Sequence, residues 1–312
     1  MSNYPVTKNI IQAIGNTPIV KLQKLVPQNS ADVYVKLEYF NPTGSYKDRM
    51  ALAIIENAEK RGDLKPGMTV VECTGGSTGI SLALVCTIKG YPFKVISSDA
   101  FSKEKLATMR LFGADLEIIL SEGGKITPEL IPKMIARTEE IAKQPDTFLT
   151  QQFKNTDAIE GYKVLGKEII EQLNKPFSAF CGAIGTSGML MGVSKAFKEA
   201  QLDTNVIALE PASAPLVSKG IKGTHKVEGI GIGFVPPMLD PKMYDEIRVV
   251  EEQVARKMVK LLAKEEGIFA GTSTGINVFA AIELAKELGP GQTVVTVACD
   301  SGMKYLSSGL FD

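Results

Sequence analysis

The feature that most limits what this chain can become is its regular alternation of short β-prone runs with longer runs of helical period. Strands are predicted over 32–37, 69–73, 93–97, 116–120, 178–183, 205–209 and 293–298. Helices are predicted over 46–60, 77–87, 103–111, 127–142, 157–173, 188–199, 251–265 and 276–288. Repeated β-α units of this kind build parallel sheets covered by helices on both faces, so the expected class is α/β. A length of 312 residues with 44% hydrophobic content is enough for a large core and about two domains. One stretch breaks the alternation. Residues 211–241 are rich in Gly and Pro, and so long a connection is either functional or mobile. There is no internal repeat and no low-complexity segment.

Ligands bind such folds at the carboxyl ends of the strands, and four loops rich in glycine or hydroxyls are predicted there. The first is Asn41-Pro42-Thr43-Gly44-Ser45-Tyr46-Lys47-Asp48-Arg49. Pro42 and Gly44 punctuate a turn, Ser45 is the expected N-cap, and Met50-Ala51-Leu52-Ala53-Ile54-Ile55 reads as the apolar side of the helix that follows. Lys47 then lies in a first helical turn, where the positive end of the macrodipole disfavours an ammonium by roughly 0.3–1 kcal/mol. Burial acts in the same direction, and attack on a carbonyl needs a neutral amine. The second loop is Thr74-Gly75-Gly76-Ser77-Thr78-Gly79 and the third is Gly185-Thr186-Ser187-Gly188-Met189. Amides and hydroxyls at a helix start cradle anions, phosphate among them. The fourth is Gly271-Thr272-Ser273-Thr274-Gly275. A single loop of this sort is more often a plain turn. Four of them, one carrying a lysine, mark a site. None fits the phosphate-loop pattern of nucleotidases.

Composition removes several classes. Lys plus Arg and Asp plus Glu number 35 each, which argues against nucleic-acid partners and against an anionic membrane surface. No apolar run reaches about 18 residues, and residues 1–8 hold no signal core. Cys73, Cys86, Cys181 and Cys299 are widely spaced and lack metal-ligand spacing. They are expected to be buried free thiols in a reducing cytoplasm, and no metal is expected. His225 is the only histidine, so no Ser-His-Asp triad can use another. Its neighbours Lys222, Gly223 and Thr224 predict an exposed loop with no part in the chemistry.

The lysine loop resembles that of the cysteine synthase/cystathionine β-synthase family, pyridoxal-phosphate enzymes of the tryptophan-synthase-β fold. The resemblance covers nearly the whole chain. It includes Gly15-Asn16-Thr17-Pro18, Lys36-Leu37-Glu38, Gln152-Phe153, Gly229-Ile230-Gly231-Ile232-Gly233-Phe234 and Asp300-Ser301-Gly302-Met303-Lys304-Tyr305-Leu306-Ser307. It implies two three-layer domains of mostly parallel sheet, with residues 46–152 as the smaller, mobile, substrate-loop domain. Residues 1–45 with 153–312 then form the larger, cofactor-phosphate domain. It implies that Lys47 forms the imine with pyridoxal 5′-phosphate and afterwards serves as the base at the substrate α-carbon. Thr74, Gly75, Gly76, Ser77 and Thr78 would hold the substrate carboxylate with Gln152 assisting, Ser77 also reaching the cofactor. Gly185, Thr186, Ser187, Gly188 and Met189 would hold the phosphate. Ser273 would face the pyridine nitrogen, and Gly229 and Ile232 would stand at the mouth. A neutral serine at that nitrogen favours β-elimination to an aminoacrylate over transamination. The implied reaction is β-replacement: O-acetyl-L-serine and sulfide give L-cysteine and acetate. The alternative is work on L-serine or L-cysteine, as cystathionine or lanthionine formation or sulfide release. The resemblance further implies a homodimer, and a serine acetyltransferase tail as a partner for the cleft.

The chain departs from that family at defined places. The usual Thr-Ser-Gly-Asn-Thr loop is here Thr74-Gly75-Gly76-Ser77-Thr78, so a hydroxyl is lost and an asparagine becomes the shorter Ser77, leaving a gap for a water. Met189 replaces a threonine, Ile232 replaces a small residue and narrows the mouth, and Gly302-Met303-Lys304-Tyr305 replaces Gly-Glu-Arg-Tyr. Two rivals remain. The run from Thr74 to Ile80, with Asp99 20 residues beyond Gly79, also looks like a short-chain dehydrogenase turn. That family's Tyr-x-x-x-Lys pair occurs only at Tyr4 and Lys8, far ahead of the turn. A non-catalytic partner-binding homologue is the other rival, and an intact Lys47 argues against it.

Overall fold

The computed structural model describes residues 6–125, 127 and 129–311. Tyr4, with the rest of 1–5, and Pro128 of the helix predicted over 127–142 lie outside the described residues. In chain order the elements are β1 (Ile19–Lys21), β2 (Asp32–Leu37), α1 (Lys47–Arg61), β3 (Thr69–Cys73), α2 (Ser77–Lys89), β4 (Phe93–Ser98), α3 (Lys103–Leu111), β5 (Asp115–Ile119), α4 (Leu130–Ile141) and β6 (Thr147–Leu149). They continue with α5 (Asp157–Leu173), β7 (Ala179–Ala183), α6 (Gly188–Glu199), β8 (Asn205–Pro211), α7 (Leu216–Lys219), β9 (Glu246–Val250), α8 (Glu252–Leu261), α9 (Thr272–Leu288) and β10 (Thr293–Ala298).

Among the described residues the strands form two sheets, ordered β1-β2-β10-β7-β8-β9 and β5-β4-β3-β6. Every neighbouring pair is parallel except β1 with β2. Alternation along each strand feeds two layers. In β10, Val294 and Ala298 pack toward Ile276, Ala281 and Ala285 of α9. Val295 and Val297 pack toward Leu165 and Ile169 of α5 and Leu190 and Val193 of α6. In the smaller sheet, Val70 and Val95 face α2, while Val71 and Ile96 face Met134 and Ile141 of α4.

Helix α1 belongs to both cores. Met50 and Ile54 join the layer of the larger sheet; Ala51, Ile55 and Ala58 join that of the smaller one. Spacings of three and four residues put the two sets on adjacent helix faces. The helix closes at Gly62, whose φ of +77° is the left-handed cap that glycine supplies. The first turn of this shared wall carries Lys47.

A buried charge network fixes where α1 begins. Arg49 donates to Glu38 at 2.6 and 2.9 Å and to Glu168 at 2.8 and 2.7 Å. Lys36 Nζ donates to Glu168, the Thr17 carbonyl and Gln172 at 2.7, 2.7 and 2.9 Å. Thr17 Oγ1 and Asn41 Nδ2 complete the shell of Glu38, and the Asn16 amide donates to Glu168. Two cations face two carboxylates, and their short paired hydrogen bonds offset the burial of the charges. The Gly15–Pro18 and Lys36–Glu38 motifs are therefore the socket that seats the lysine helix.

The alternation read from sequence matches all seven predicted strands within two residues at each end. The three strands it omits, β1, β6 and β9, all lie at sheet edges. The span 211–241 is not wholly irregular, since α7 lies within it. Helix α9 starts at Thr272, so most of the fourth loop is already helix. The four cysteines are free thiols, three of them buried and Cys73 half-buried. Among the described residues no helix is long and apolar enough to cross a membrane.

Candidate active site

Lys47 is the first residue of α1, with 8% of its surface exposed. The helix starts one residue later than predicted, and Ser45 Oγ still accepts from the Lys47 amide at 3.3 Å. Asp48, the next residue, fixes the turn. It accepts from the Thr43 amide at 2.8 Å, from Thr43 Oγ1 at 2.5 Å and from Ser81 Oγ of α2 at 2.6 Å. The Lys47 ammonium stands 4.1 Å from the centre of the Tyr46 ring. Burial pulls its pKa from 10.5 down to about 8; Asp300 opposes that shift and Lys304 adds to it. Among the described residues it has no ion-pair partner to hold its proton.

The third loop lies across two aromatic rings from the lysine. Tyr46 packs on Tyr162 with ring centres 5.4 Å apart, and a Cβ on Gly188 would stand 3.3 Å from the Tyr162 ring. A side chain at Gly185 would run into the Gly229 carbonyl oxygen, and the Gly231 amide donates to the Ile184 carbonyl at 3.2 Å. Two predicted site loops thus touch. Thr186 and Ser187 are both buried. Ser187 has a φ of +70°, a strained value for a serine, and its buried hydroxyl has no partner. The first turn of α6 offers its N–H groups beside it. Met189 is the exception: its methyl packs near Gly182 in the core, so it offers the loop only its backbone.

The second loop and Gln152 are brought together as expected. Thr78 Oγ1 and Gln152 Oε1 are 2.8 Å apart, Gln152 Nε2 donates to the Cys73 carbonyl at 3.1 Å, and its amide donates to buried Glu72 at 3.0 Å. Beside the short Ser77 a second side chain comes in: Lys304 Nζ donates to Ser77 Oγ at 3.1 Å. Gly75 has its own reason. A Cβ there would overlap the Phe101 ring, so the aromatic side chain takes the room that any larger residue would need. Asp99, the acid of the dehydrogenase reading, is occupied by the Ser121 amide at 2.7 Å.

Ser273 lies in the first turn of α9, buried against the Cys299 thiol, whose pKa burial pushes up to about 12. Thr274 Oγ1 accepts from the Cys299 amide at 3.1 Å, and the Cys299 carbonyl accepts from Tyr46 at 3.0 Å. This ties the Ser273 turn to the lysine turn. Asp300 is buried; Tyr305 donates to one of its oxygens at 2.6 Å and the other has no partner. Gly229 has a φ of +83°, and Ile232, half-buried, lines a small cavity with Ile184, Gly185 and Phe234. His225 corrects its sequence reading. It is half-buried, its Nδ1 accepts from the Val227 amide at 3.2 Å, and its Nε2 faces the Gly231 carbonyl at 3.1 Å. It clasps the loop that carries Gly229 and Ile232.

An amine poised between charged and neutral near pH 8, an unpartnered serine hydroxyl in a strained turn and a glycine turn closed to a Cβ at Gly185 fit an aldehyde that carries a phosphate. Residues 10–300 match the family model described as pyridoxal-phosphate dependent enzyme. A cysteine synthase of Staphylococcus aureus is 44% identical over 100% of this chain and 99% of its own. A solved cysteine synthase of Entamoeba histolytica has a TM-score of 0.93 at 33% identity, over 100% of this chain and 92% of that one. A solved hydrogen sulfide-producing enzyme of Fusobacterium nucleatum has a TM-score of 0.88 at 36% identity, over 96% of this chain and 100% of that one. The chain belongs to the pyridoxal-phosphate-dependent enzyme family, within its cysteine-synthase-like branch, and is a pyridoxal-phosphate-dependent enzyme.

Proposed function

We propose that this enzyme carries out β-replacement on a serine-derived amino acid, and that O-acetyl-L-serine and sulfide are converted to L-cysteine and acetate. One observation carries the reading: a buried Lys47 amine, poised between charged and neutral, is joined to the Gly185 turn through the Tyr46–Tyr162 stack and feels the charge of Lys304, which bonds Ser77 of the Thr74–Thr78 loop. Similarity to cysteine synthases over the whole length supports it.

Bound pyridoxal phosphate supplies the electron sink that acidifies the α-proton of an attached amino acid. The amides of Gly185 to Met189, with the Ser187 hydroxyl, would hold the phosphate. The loop from Thr74 to Thr78 and Gln152 hold the carboxylate. Lys47 takes the α-proton and returns it, and its nearness to neutrality lets it do both near physiological pH. Acetate leaves the β-carbon with the electron pair of its C–O bond, and hydrosulfide supplies the pair for the new C–S bond. Ser273, uncharged, would offer the pyridine nitrogen a hydrogen-bond partner without the charge that would keep it protonated. Residues 46–152 move as the smaller domain, with the cleft closing between the two sheets.

A second reading, sulfide release from L-cysteine, draws support from the Fusobacterium enzyme and from the altered residues Gly75 and Ser77. Stopped-flow absorbance with O-acetyl-L-serine, L-serine and L-cysteine in turn separates them. The leading reading expects O-acetyl-L-serine to react fastest and sulfide to reverse the spectral change with cysteine as product. Fastest reaction with L-cysteine, releasing sulfide, would replace it with the second.

A further inference from the structure

Two departures from the family pattern, Ser77 and Lys304, turn out to be partners. Their side chains meet at 3.1 Å although they lie 227 residues apart in the chain. The stem of Lys304 packs against the lysine turn, its Cε 3.7 Å from where a Cβ on Gly44 would stand. The ammonium therefore sits where the lysine turn, the start of α2 and the C-terminal segment converge.

Its surroundings leave its charge poorly matched. Among the described residues the one hydrogen bond of its ammonium goes to a neutral hydroxyl. Among the described residues no carboxylate comes within ion-pair distance; Asp300 and Asp48 act on it from farther away, and the Lys105 cation opposes them. Ser77 is the first residue of α2, a 13-residue helix whose positive end repels a cation. Ser77 is followed by Thr78, which is bonded to Gln152. An anion brought to this helix start would relieve all of these conditions, and every α-amino acid carries one in its carboxylate.

We propose that Lys304 is a substrate-binding residue, whose ammonium, tethered by Ser77 Oγ, donates to the α-carboxylate of the amino-acid substrate at the start of α2. The inference rests on the reading of the Thr74–Thr78 loop as the carboxylate site.

The test compares two probes on the holoenzyme, L-serine and L-serinamide, with binding read from the cofactor absorbance and from the shift in unfolding temperature. The wild type binds L-serine the more tightly. In Lys304→Met the affinity for L-serine falls about tenfold to a hundredfold, as loss of a charged hydrogen bond requires. Affinity for L-serinamide stays within about twofold. Lys304→Arg restores the preference, and Ser77→Ala lowers it in the same direction. Should Lys304→Met not fold, Lys304→Gln gives the same comparison. A preference for L-serine that survives removal of the ammonium overturns the role of Lys304 and leaves the carboxylate loop standing. A cofactor-loaded wild type that does not respond to L-serine overturns the loop assignment, and the proposal with it.

Discussion

At the scale of single residues, Lys47 is governed by burial more than by the helix dipole. The dipole contributes at most about 2 kcal/mol, whereas the lysine has moved from 10.5 to about 8, chiefly through burial. Between those values the native state binds fewer protons than the unfolded one. The stability of the cofactor-free chain therefore rises with pH across that window. The same shift sets cofactor uptake, because only the neutral amine attacks an aldehyde. Uptake of pyridoxal phosphate by the cofactor-free chain, followed by absorbance, is expected to accelerate as pH rises through about 8 and to level off above. A rate still climbing beyond pH 10 would mean that the amine is not perturbed. The residue types of the candidate site were legible in the sequence, because four glycine and hydroxyl clusters at strand ends, one carrying a lysine, are more than plain turns require. Their partners were not. That Phe101 fills the room above Gly75, that Lys304 bonds Ser77 and that Cys299 underlies Ser273 depend on contacts between distant segments, which no local pattern encodes. The departures from the family loop were the one clue, since a lost side chain leaves room that something must fill.

At the scale of elements, α1 decides where the amine stands, and the network of Lys36, Glu38, Arg49 and Glu168 decides where α1 stands. Glu168 binds both cations, and the pull of Arg49 and Lys36 outweighs burial to hold its carboxyl at about 2. Glu168→Gln leaves two buried cations facing one carboxylate, at an expected cost of about 3–5 kcal/mol. Urea unfolding measures it, and a loss under about 1 kcal/mol would show that the network does not seat the helix. Because the folded pKa is depressed, this contribution is present at neutral pH and is lost as pH falls toward about 2. Central strands and long helices were legible because burial on both faces leaves long apolar runs. Edge strands β1 and β6, three residues each, and β9, which has charged residues, are specified by one neighbour apiece and carry little signal of their own.

At the scale of the whole molecule, parallel strands carry their following loops to one end, and the order of the sheets gathers segments scattered along the chain. The lysine turn, the Gly185 turn, the Ser273 turn and the Gly229 loop meet through Tyr46, Tyr162, Cys299 and the Gly185–Gly229 contact. The alternation of elements foretold that convergence in outline, while the tyrosine stack and the His225 clasp needed the fold itself. The central claim is that the amine at this meeting point holds the cofactor. Borohydride reduction of the yellow holoprotein, followed by peptide mapping by mass spectrometry, tests it most directly. The account predicts a phosphopyridoxyl group on Lys47 and none on the cofactor-bound Lys47→Ala protein; a label on another lysine, or an unmodified Lys47 in fully reduced protein, would contradict it.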